Sequence, residues 1–279
     1  MTGLERFSLN QATIKYADLP TAVRVTAEAG IPAIGVWREP VQGHGLDAAA
    51  RLVRDAGLRV SSLCRGGFFT APEGADRRAA LEDNRRAIDE AETLGAPTLV
   101  LVAGGLPAGS RDLAGAREAV ADALAELAPY AAAAGVTLSI EALHPMYVSD
   151  RAVVSTLAQA LDLAAPFDPA LVGVVVDTFH LWWDPDLAAQ VARAGAGGRI
   201  ASYQVCDWVT PIAADPLLSR GIPGDGDIDF AAFTGLVRDA GWAGDVECEV
   251  FRQEVWDADP AAVAARAAAA YLRLVAPYL

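Results

Sequence analysis

Four polar side chains recur near the ends of short apolar runs in the second half of the chain. Glu141 closes the run VTLSIE, Asp177 closes LVGVVVD, Gln204 lies in RIASYQV and Glu249 lies in DVECEV. If these runs are strands, side-chain alternation places all four on the face opposite the apolar residues that would meet helices. Neighbouring parallel strands would therefore bring three carboxylates and one amide together at one end of a sheet.

Three carboxylates that share one cavity repel each other and raise each other's pKa values unless a cation lies between them. A divalent metal with oxygen ligands meets this requirement, and carboxylate and amide oxygens suit Mn²⁺ or Mg²⁺ better than Zn²⁺. For a single carboxylate, an ion pair with an arginine at the rim would be the better explanation, but three together favour a metal. Glu247, one pleat deeper than Glu249, is open to two interpretations, a site residue or a buried, paired acid.

The elements that must position these side chains alternate regularly along the chain. Eight short, often β-branched runs are separated by longer Ala-, Leu- and Arg-rich stretches with helical spacing, such as 81–95, 116–135 and 261–275. Several of these stretches stop at a glycine, as at Gly95 and Gly135, which is a common way to end a helix. The eight runs are 7–10, 31–37, 58–64, 97–104, 136–143, 171–177, 199–207 and 245–251.

Eight successive βα units predict an α/β fold, a (β/α)8 TIM barrel, as a single domain over residues 1–279. A doubly wound open sheet is the alternative, but no GxGxxG motif follows the first run, and eight regular units favour closure. In such a barrel, chemistry takes place at the carboxyl ends of the strands and in the loops that follow them. The four polar side chains fall in this zone.

Composition excludes several classes of protein. The 279 residues include 22 basic and 36 acidic side chains, giving a net charge of −14, and 53% are hydrophobic, which is too apolar for a disordered chain. The acidic balance and the single lysine, Lys15, argue against nucleic-acid binding. The first residues lack a signal-peptide pattern and no apolar run could span a membrane, so we expect a cytoplasmic protein without membrane contact. Three cysteines without metal-type spacing are expected to be reduced.

Several runs together resemble a known family. They are EALHPMY (141–147), DTFHLWWDP (177–185), QVCDW (204–208), RGIPGDGDIDF (220–230) and ECEVF (247–251), with weaker similarity at WRE (37–39) and CRGGFF (64–69). As an ordered set they resemble the sugar phosphate isomerase/epimerase group of xylose-isomerase-like TIM barrels. The similarity extends over strands five to eight and their loops, and it specifies the superfamily better than the substrate or the reaction.

The resemblance implies a metal site on strands five to eight. The family's ligands are, in order, Glu, Asp, His and Glu, which fall here on Glu141, Asp177, Gln204 and Glu249. The departure is Gln204, which stands where the family has histidine. Its carbonyl oxygen can still coordinate, or water takes its place. We expect Mn²⁺, with Mg²⁺ or Co²⁺ as alternatives.

The same resemblance implies substrate contacts. His180 lies three residues after Asp177, matching a family DxxH motif, and Arg220 precedes a turn-rich loop where the family has a substrate-binding arginine. His144 lies at the same offset after Glu141, and we predict a catalytic role for it. Further candidates for substrate binding are Arg65, Trp37 and Asp207. Asp207 would act by orienting a ligand or Arg220.

These residues predict a metal-dependent isomerase or epimerase that acts on a keto-sugar or polyol through a metal-stabilised enediolate. Glu141 or Glu249 would remove the proton and the other would return one on the opposite face.

A lyase on the same scaffold is the alternative, such as an inosose dehydratase or a keto-glycoside or C-glycoside eliminase, with His144 as the acid. A non-catalytic sugar-binding barrel is a third possibility. An endonuclease IV-like enzyme is disfavoured by only three histidines. The expected partner is a small carbohydrate, and a homo-oligomer is compatible with the sequence.

Overall fold

Eight parallel strands close into a barrel in the computed structural model, which describes residues 3–279. The order around the barrel is β1-β10-β7-β6-β5-β4-β3-β2, so each strand lies beside its neighbours in sequence, and the predicted single (β/α)8 barrel is confirmed. The barrel strands are β1 Phe7–Asn10, β2 Ala33–Trp37, β3 Arg59–Gly67, β4 Thr98–Val102, β5 Thr137–Glu141, β6 Val172–Asp177, β7 Ile200–Val205 and β10 Val246–Cys248. A two-stranded antiparallel hairpin, β8 Asp207–Trp208 and β9 Arg220–Gly221, follows β7.

Helices connect the strands and cover the outside of the barrel. Within residues 3–279 the α-helices are α1 Leu19–Glu28, α2 Arg38–His44, α3 Leu46–Asp55, α4 Ala75–Leu94, α5 Leu113–Ala134, α6 Leu157–Ala164, α7 Thr178–Leu181, α8 Leu187–Ala196, α9 Phe230–Asp239, α10 Gln253–Trp256 and α11 Pro260–Leu274. The three helices predicted at 81–95, 116–135 and 261–275 correspond to α4, α5 and α11. None of these helices is long and apolar enough to cross a membrane.

The ends of α4 and α5 show how the sequence directs the chain back to the sheet. Both helices are followed by a glycine in the left-handed conformation, Gly95 with φ 68° and Gly135 with φ 67°. Residues with a Cβ rarely adopt this conformation, so glycine ends the helix at low energetic cost. The next strand starts within three residues in each case.

Strand register determines which polar side chains become neighbours. Asp177 on β6 pairs with Gln204 on β7, and Gln204 pairs with Glu247 on β10. Residues paired across parallel strands point to the same side, so this row runs across the barrel interior. The last strand is shorter than predicted: β10 ends at Cys248, and Glu249 lies one residue beyond it.

Candidate active site

A cavity of about 710 Å³ opens among the carboxyl ends of the barrel strands and the loops that follow them. This is where active sites of (β/α)8 barrels lie. Seven of the residues singled out from the sequence line it, namely Trp37, Arg65, Glu141, His180, Gln204, Arg220 and Glu249. Asp177 contacts the same cluster from the wall through Arg220.

Arg220 is the centre of the buried polar cluster. Its Nη1 lies 3.1 Å from Asp177 Oδ2 and 3.1 Å from Glu249 Oε2, and its side chain is 2% exposed. The guanidinium also lies between two aromatic rings, 4.8 Å from the centre of Phe179 and 5.2 Å from that of Phe251. Ion pairs and cation–π contacts therefore hold it from several sides.

The loop after β7 delivers this arginine. Residues Asp207 and Trp208 pair with Gly221 and Arg220 in the β8–β9 hairpin, which brings residue 220 back to the barrel mouth. The carboxylate of Asp207 is fully buried and accepts hydrogen bonds at 2.8–3.0 Å from the backbone N–H groups of Trp208, Gly224, Gly226 and Ile228. Because the loop backbone engages both carboxylate oxygens, Asp207 fixes the segment that carries Arg220.

His180 is oriented by a backbone contact. The N–H of His144 lies 3.1 Å from His180 Nδ1. The other ring nitrogen, Nε2, lies 2.8 Å from Arg220 Nη2 and 3.9 Å from Glu141 Oε1. Burial, followed by the charge of Arg220, lowers the pKa of His180 well below its usual range. His180 is therefore a neutral imidazole at the cavity wall.

The side chain of His144 lies among aromatic rings. Its ring centre is 5.3 Å from that of Trp183 and 5.2 Å from that of Trp208, and its Nδ1 accepts a hydrogen bond from the Met146 N–H at 3.3 Å. Burial lowers the pKa of His144. His144 contacts His180 through its own backbone N–H and not through its ring. The sequence pattern did not suggest this contact.

The buried carboxyl groups hold protons unusually tightly. Burial raises the pKa of Glu141 well above its usual range, and the charges of Asp177 and Glu249 add to this effect. Burial also raises the pKa of Glu249 to about 8, although Arg220 partly offsets the increase. One guanidinium thus compensates only part of the negative charge that three ionised carboxylates would bring.

This arrangement fits a divalent cation. Glu141, Asp177 and His180 form a candidate metal site whose possible ligand atoms lie within 4.8 Å of one another. Gln204 Oε1 is buried and has no hydrogen-bond partner within residues 3–279. A buried oxygen without a partner is unfavourable, and coordination by a cation would satisfy it.

A polar network beneath the cavity orients Gln204. Its Nε2 lies 3.4 Å from Glu247 Oε1, which leaves the amide oxygen as the unpartnered atom. Glu247 in turn accepts hydrogen bonds from Asn10 at 2.6 Å, from Ser61 at 2.5 Å and from Ser62 at 2.8 and 3.0 Å. Burial raises the pKa of Glu247, while these donors counteract the increase. Glu247 is thus a buried, hydrogen-bonded acid beside a predicted ligand.

Other residues that line the cavity were not predicted from the sequence. They include Lys15, Tyr147, Arg151, Phe251 and Trp256. Strand parity could have found Phe251, because it lies two residues after Glu249. The rest come from loops and short helices, where no such alternation applies.

The decisive comparison is with families of known proteins, because the model for the xylose isomerase-like TIM barrel family matches residues 23–275. The chain belongs to this family. The family resemblance drawn from the sequence is therefore confirmed. Curated members that match the chain include a dehydratase, an inosose isomerase and an L-ribulose 3-epimerase, so enzymes of more than one reaction type share this barrel.

Two of these relatives differ in how much of the chain they match. The 3-dehydroshikimate dehydratase of Pseudomonas aeruginosa is 31% identical over 255 residues, which cover 86% of this chain and 37% of the relative. This chain therefore spans little more than a third of that relative's length. Inosose isomerase of Bacillus licheniformis is 30% identical over 137 residues, covering 48% of this chain and 47% of the relative.

Solved structures share the fold closely. The protein SMc04130 from Sinorhizobium meliloti superimposes with a TM-score of 0.94 at 46% identity, covering 98% of this chain and 99% of that chain. The IOLI protein, solved with a zinc atom, has a TM-score of 0.86 at 22% identity, with 98% and 99% coverage. At that identity the second likeness speaks for the fold alone.

Proposed function

We propose that this protein is an isomerase or epimerase that removes a proton beside the ketone of a small polyhydroxylated substrate and returns a proton to the same carbon or its neighbour. The observation that carries this proposal is that two buried carboxyl groups, Glu141 and Glu249, line one cavity together with the imidazole of His180 and the N–H donors of Arg220. A base, an acid and donors for two substrate oxygens are the parts that such a reaction needs.

The two carboxyl groups have different environments, which suits different roles. Glu249 contacts Arg220, and the guanidinium stabilises its charged form, so we assign Glu249 as the base that takes the proton from carbon. Glu141 lies on β5, separated from β10 by β6 and β7 in the closed sheet, and returns a proton from another direction. Arg220 and His180 bind the substrate oxygens, and Trp37 and Arg65 line the cavity wall beside them.

We further propose that Glu141, Asp177, Gln204 and Glu249 hold a divalent metal, with Mn²⁺ as the expected ion and Mg²⁺ or Co²⁺ as alternatives. When bound, such an ion supplies Lewis-acid polarisation of a carbonyl and a neighbouring hydroxyl, which acidifies the C–H bond. The unpartnered Gln204 oxygen and the excess of carboxylates support this assignment. His180, which the geometry groups with Glu141 and Asp177, is the alternative ligand.

Hydrogen exchange tests the reaction directly. The purified protein is incubated in D₂O with L-ribulose or inosose, and NMR follows deuterium incorporation and the appearance of a new isomer. We expect exchange beside the ketone with the unmodified protein and loss of exchange in Glu249→Gln. The exposed-acid variant Glu73→Gln is the matched control. Absence of exchange with every ketone offered would contradict the proposal.

Metal dependence needs a separate measurement. We expect chelation to lower the exchange rate by about a hundredfold or more and Mn²⁺ to restore it, because the metal contributes several kcal/mol to such reactions. Elemental analysis of the purified protein identifies the resident ion. A metal-free protein indifferent to chelator, without exchange, would leave a non-catalytic sugar-binding barrel as the interpretation.

A lyase is the second candidate, and the match of 3-dehydroshikimate dehydratase over 86% of this chain favours it. Glu249 would remove the same proton, a C–O bond β to the ketone would break, and an acid would protonate the departing hydroxide to give water and a C=C bond. Glu141 or His144 would supply that proton. Incubation with 3-dehydroshikimate distinguishes the two candidates. Only the lyase would remove water to give, after tautomerisation, an aromatic dihydroxybenzoate that absorbs at longer wavelength than the enone substrate.

We also propose that the partner of this site is a small carbohydrate or related polyol and that the protein acts in the cytoplasm. A homo-oligomer stays a prediction from the sequence. Light scattering coupled to gel filtration would measure its mass in solution.

A further inference from the structure

Two of the basic side chains that line the cavity differ from the other two because they have no acidic partner among the described residues. Four basic side chains line it, and two of these, Arg151 and Arg220, form ion pairs with Asp215 and with Asp177 and Glu249. Lys15 and Arg65 form no ion pair within residues 3–279. In a chain with 36 acidic residues against 22 basic ones, cations without acidic partners are unexpected at a cavity wall.

Both of these cations rest on aromatic rings instead. Arg65 Cζ lies 5.6 Å from the ring centre of Trp37 and 4.7 Å from that of Phe68, while Lys15 Nζ lies 4.4 Å from the ring centre of Trp256. A ring face holds a cation in place but leaves its hydrogen-bond donors free for an anion.

The rings form a continuous row between the two cations. Trp37 lies 5.6 Å from Phe251, and Phe251 lies 6.0 Å from Trp256, measured between ring centres. We call Trp37, Phe251 and Trp256 the aromatic row, and all three line the cavity. Arg65 therefore marks one end of the row and Lys15, the only lysine of the chain, marks the other.

The position of this row relates it to the reacting groups. Phe251 also contacts Arg220, whose guanidinium lies 5.2 Å from its ring centre, so the row reaches the buried polar cluster. Arg65 and Glu249 line the same cavity as the row. A substrate lying along the row would thus have one end beside Arg65 and its reactive part beside Glu249.

We propose that Arg65 binds a carboxylate of the substrate, with Lys15 adding positive charge at the far end of the row, so that the preferred substrate is an anionic ring or chain hydroxy ketone rather than a neutral sugar. This inference rests on the proposed function, because it concerns the substrate of the same site. A guanidinium has a planar pair of N–H donors that matches a carboxylate, and the apolar faces of the aromatic row suit the C–H surface of a ring. Arg65 is thus a specificity-determining residue.

A matched pair of unreactive ligands tests the anchor independently of catalysis. Binding of 3-hydroxybenzoate and of 3-hydroxybenzamide, which differ in charge but hardly in shape, is measured by titration calorimetry at neutral pH. We expect the acid to bind the unmodified protein about tenfold more tightly than the amide, as a charge-assisted hydrogen bond allows. Arg65→Gln should remove this difference by weakening the acid alone, and Lys15→Gln should reduce it less.

The control is Arg78→Gln, which removes an exposed arginine on α4 and should leave both ligands unchanged. Arg65→Lys keeps the charge and should retain part of the discrimination, and thermal unfolding checks that each variant is folded. Equal binding of acid and amide by the unmodified protein would overturn the proposal. So would equal weakening of both ligands in Arg65→Gln, because Arg65 would then act only by packing on Trp37 and Phe68.

The outcome is separable from that of the proposed function. If acid discrimination depends on Arg65 but no ketone exchanges deuterium, the anchor stands and the isomerase proposal fails. If L-ribulose exchanges readily and the acid shows no preference, the isomerase proposal stands and the anchor fails.

Discussion

Two buried arginines are each held by two acidic side chains, but the pKa of one of these acids is shifted in opposite directions in the two places. We call Arg38 with Asp83 and Glu90 the Arg38 centre, and Arg220 with Asp177 and Glu249 the Arg220 centre. Arg38 Nη1 lies 2.8 Å from Asp83 Oδ2 and its Nε lies 2.6 Å from Glu90 Oε2. Hydrogen bonding to Arg38 lowers the pKa of Asp83, whereas burial raises the pKa of Glu249 to about 8 despite its contact with Arg220.

Solvent access and local charge explain the contrast. The side chain of Asp83 is 47% exposed, so water shares in stabilising its charge, while that of Glu249 is 6% exposed. The Arg220 centre also faces Glu141, a further acid in the same interior. An arginine beside two acids is therefore a structural ion pair in one place and an incompletely neutralised cluster in the other.

The largest expected effect separates chemistry from stability. Glu249→Gln should lower the exchange rate by about a thousandfold, because it removes the proposed base. Its free energy of unfolding at neutral pH should change little, since a carboxyl group with a pKa of about 8 is largely uncharged there. Exchange kinetics and urea unfolding of the same preparation measure both quantities. If Glu249→Gln exchanges deuterium normally, Glu249 is not the base, and the proposed catalytic role of the Arg220 centre is wrong.

The reciprocal change concerns the Arg38 centre. Arg38→Met should lower the free energy of unfolding by about 3 kcal/mol, because it leaves Glu90 buried without its cation. The exchange rate of the folded fraction should stay within a factor of about two, since Arg38 lies outside the cavity lining. The exposed pair Arg24 and Glu28 offers the control Arg24→Met, for which we expect little change in unfolding.

A smaller effect tests the polar network of Glu247 and Gln204 beneath the cavity. Glu247→Met should weaken the apparent affinity for Mn²⁺ by about tenfold, because Gln204 would lose the acceptor that orients its amide. Competition with a chelating dye measures this affinity, and unfolding experiments check the fold. If Ser61→Ala, which removes one donor to Glu247 but leaves its carboxylate, weakens Mn²⁺ binding as strongly, the orienting role assigned to Glu247 is wrong.

The last expected effect is a dependence of stability on pH in the presence of chelator. The folded pKa of Glu249 is about 8 and its ordinary value is 4.5, so its stabilising contribution is full below pH 4.5 and is lost as the pH rises to about 8. The melting temperature should therefore fall over this interval, and less steeply in Glu249→Gln. The control Glu73→Gln should retain the slope. An unchanged slope in Glu249→Gln would mean that this carboxyl group titrates normally.

Much of the barrel could be predicted because its signals are local. Side-chain alternation placed Glu141, Asp177 and Gln204 on the interior face of neighbouring strands, and the observed pairing of Asp177 with Gln204 agrees with this. Glycines after helices marked their ends correctly. The limits of the short last strand were less well predicted, because β10 has only three residues between two loops.

The arrangement of the candidate site depends on contacts that no local pattern contains. Arg220 reaches Asp177 and Glu249 only because a hairpin folds it back across the barrel mouth. Glu247 is held by Asn10, Ser61 and Ser62, which come from strands far away in sequence.

Residues 209–219 form the loop that joins the two strands of the β8–β9 hairpin, and we call this loop the excursion. This excursion contributes Asp215, Leu217 and Leu218 to the cavity, while Asp207 and the pairing of Trp208 with Arg220 secure the base below it. Length and sequence can therefore change in the excursion without displacing the guanidinium. We therefore expect that replacing residues 209–219 alters ligand preference while the ion pairs of Arg220 with Asp177 and Glu249 are kept.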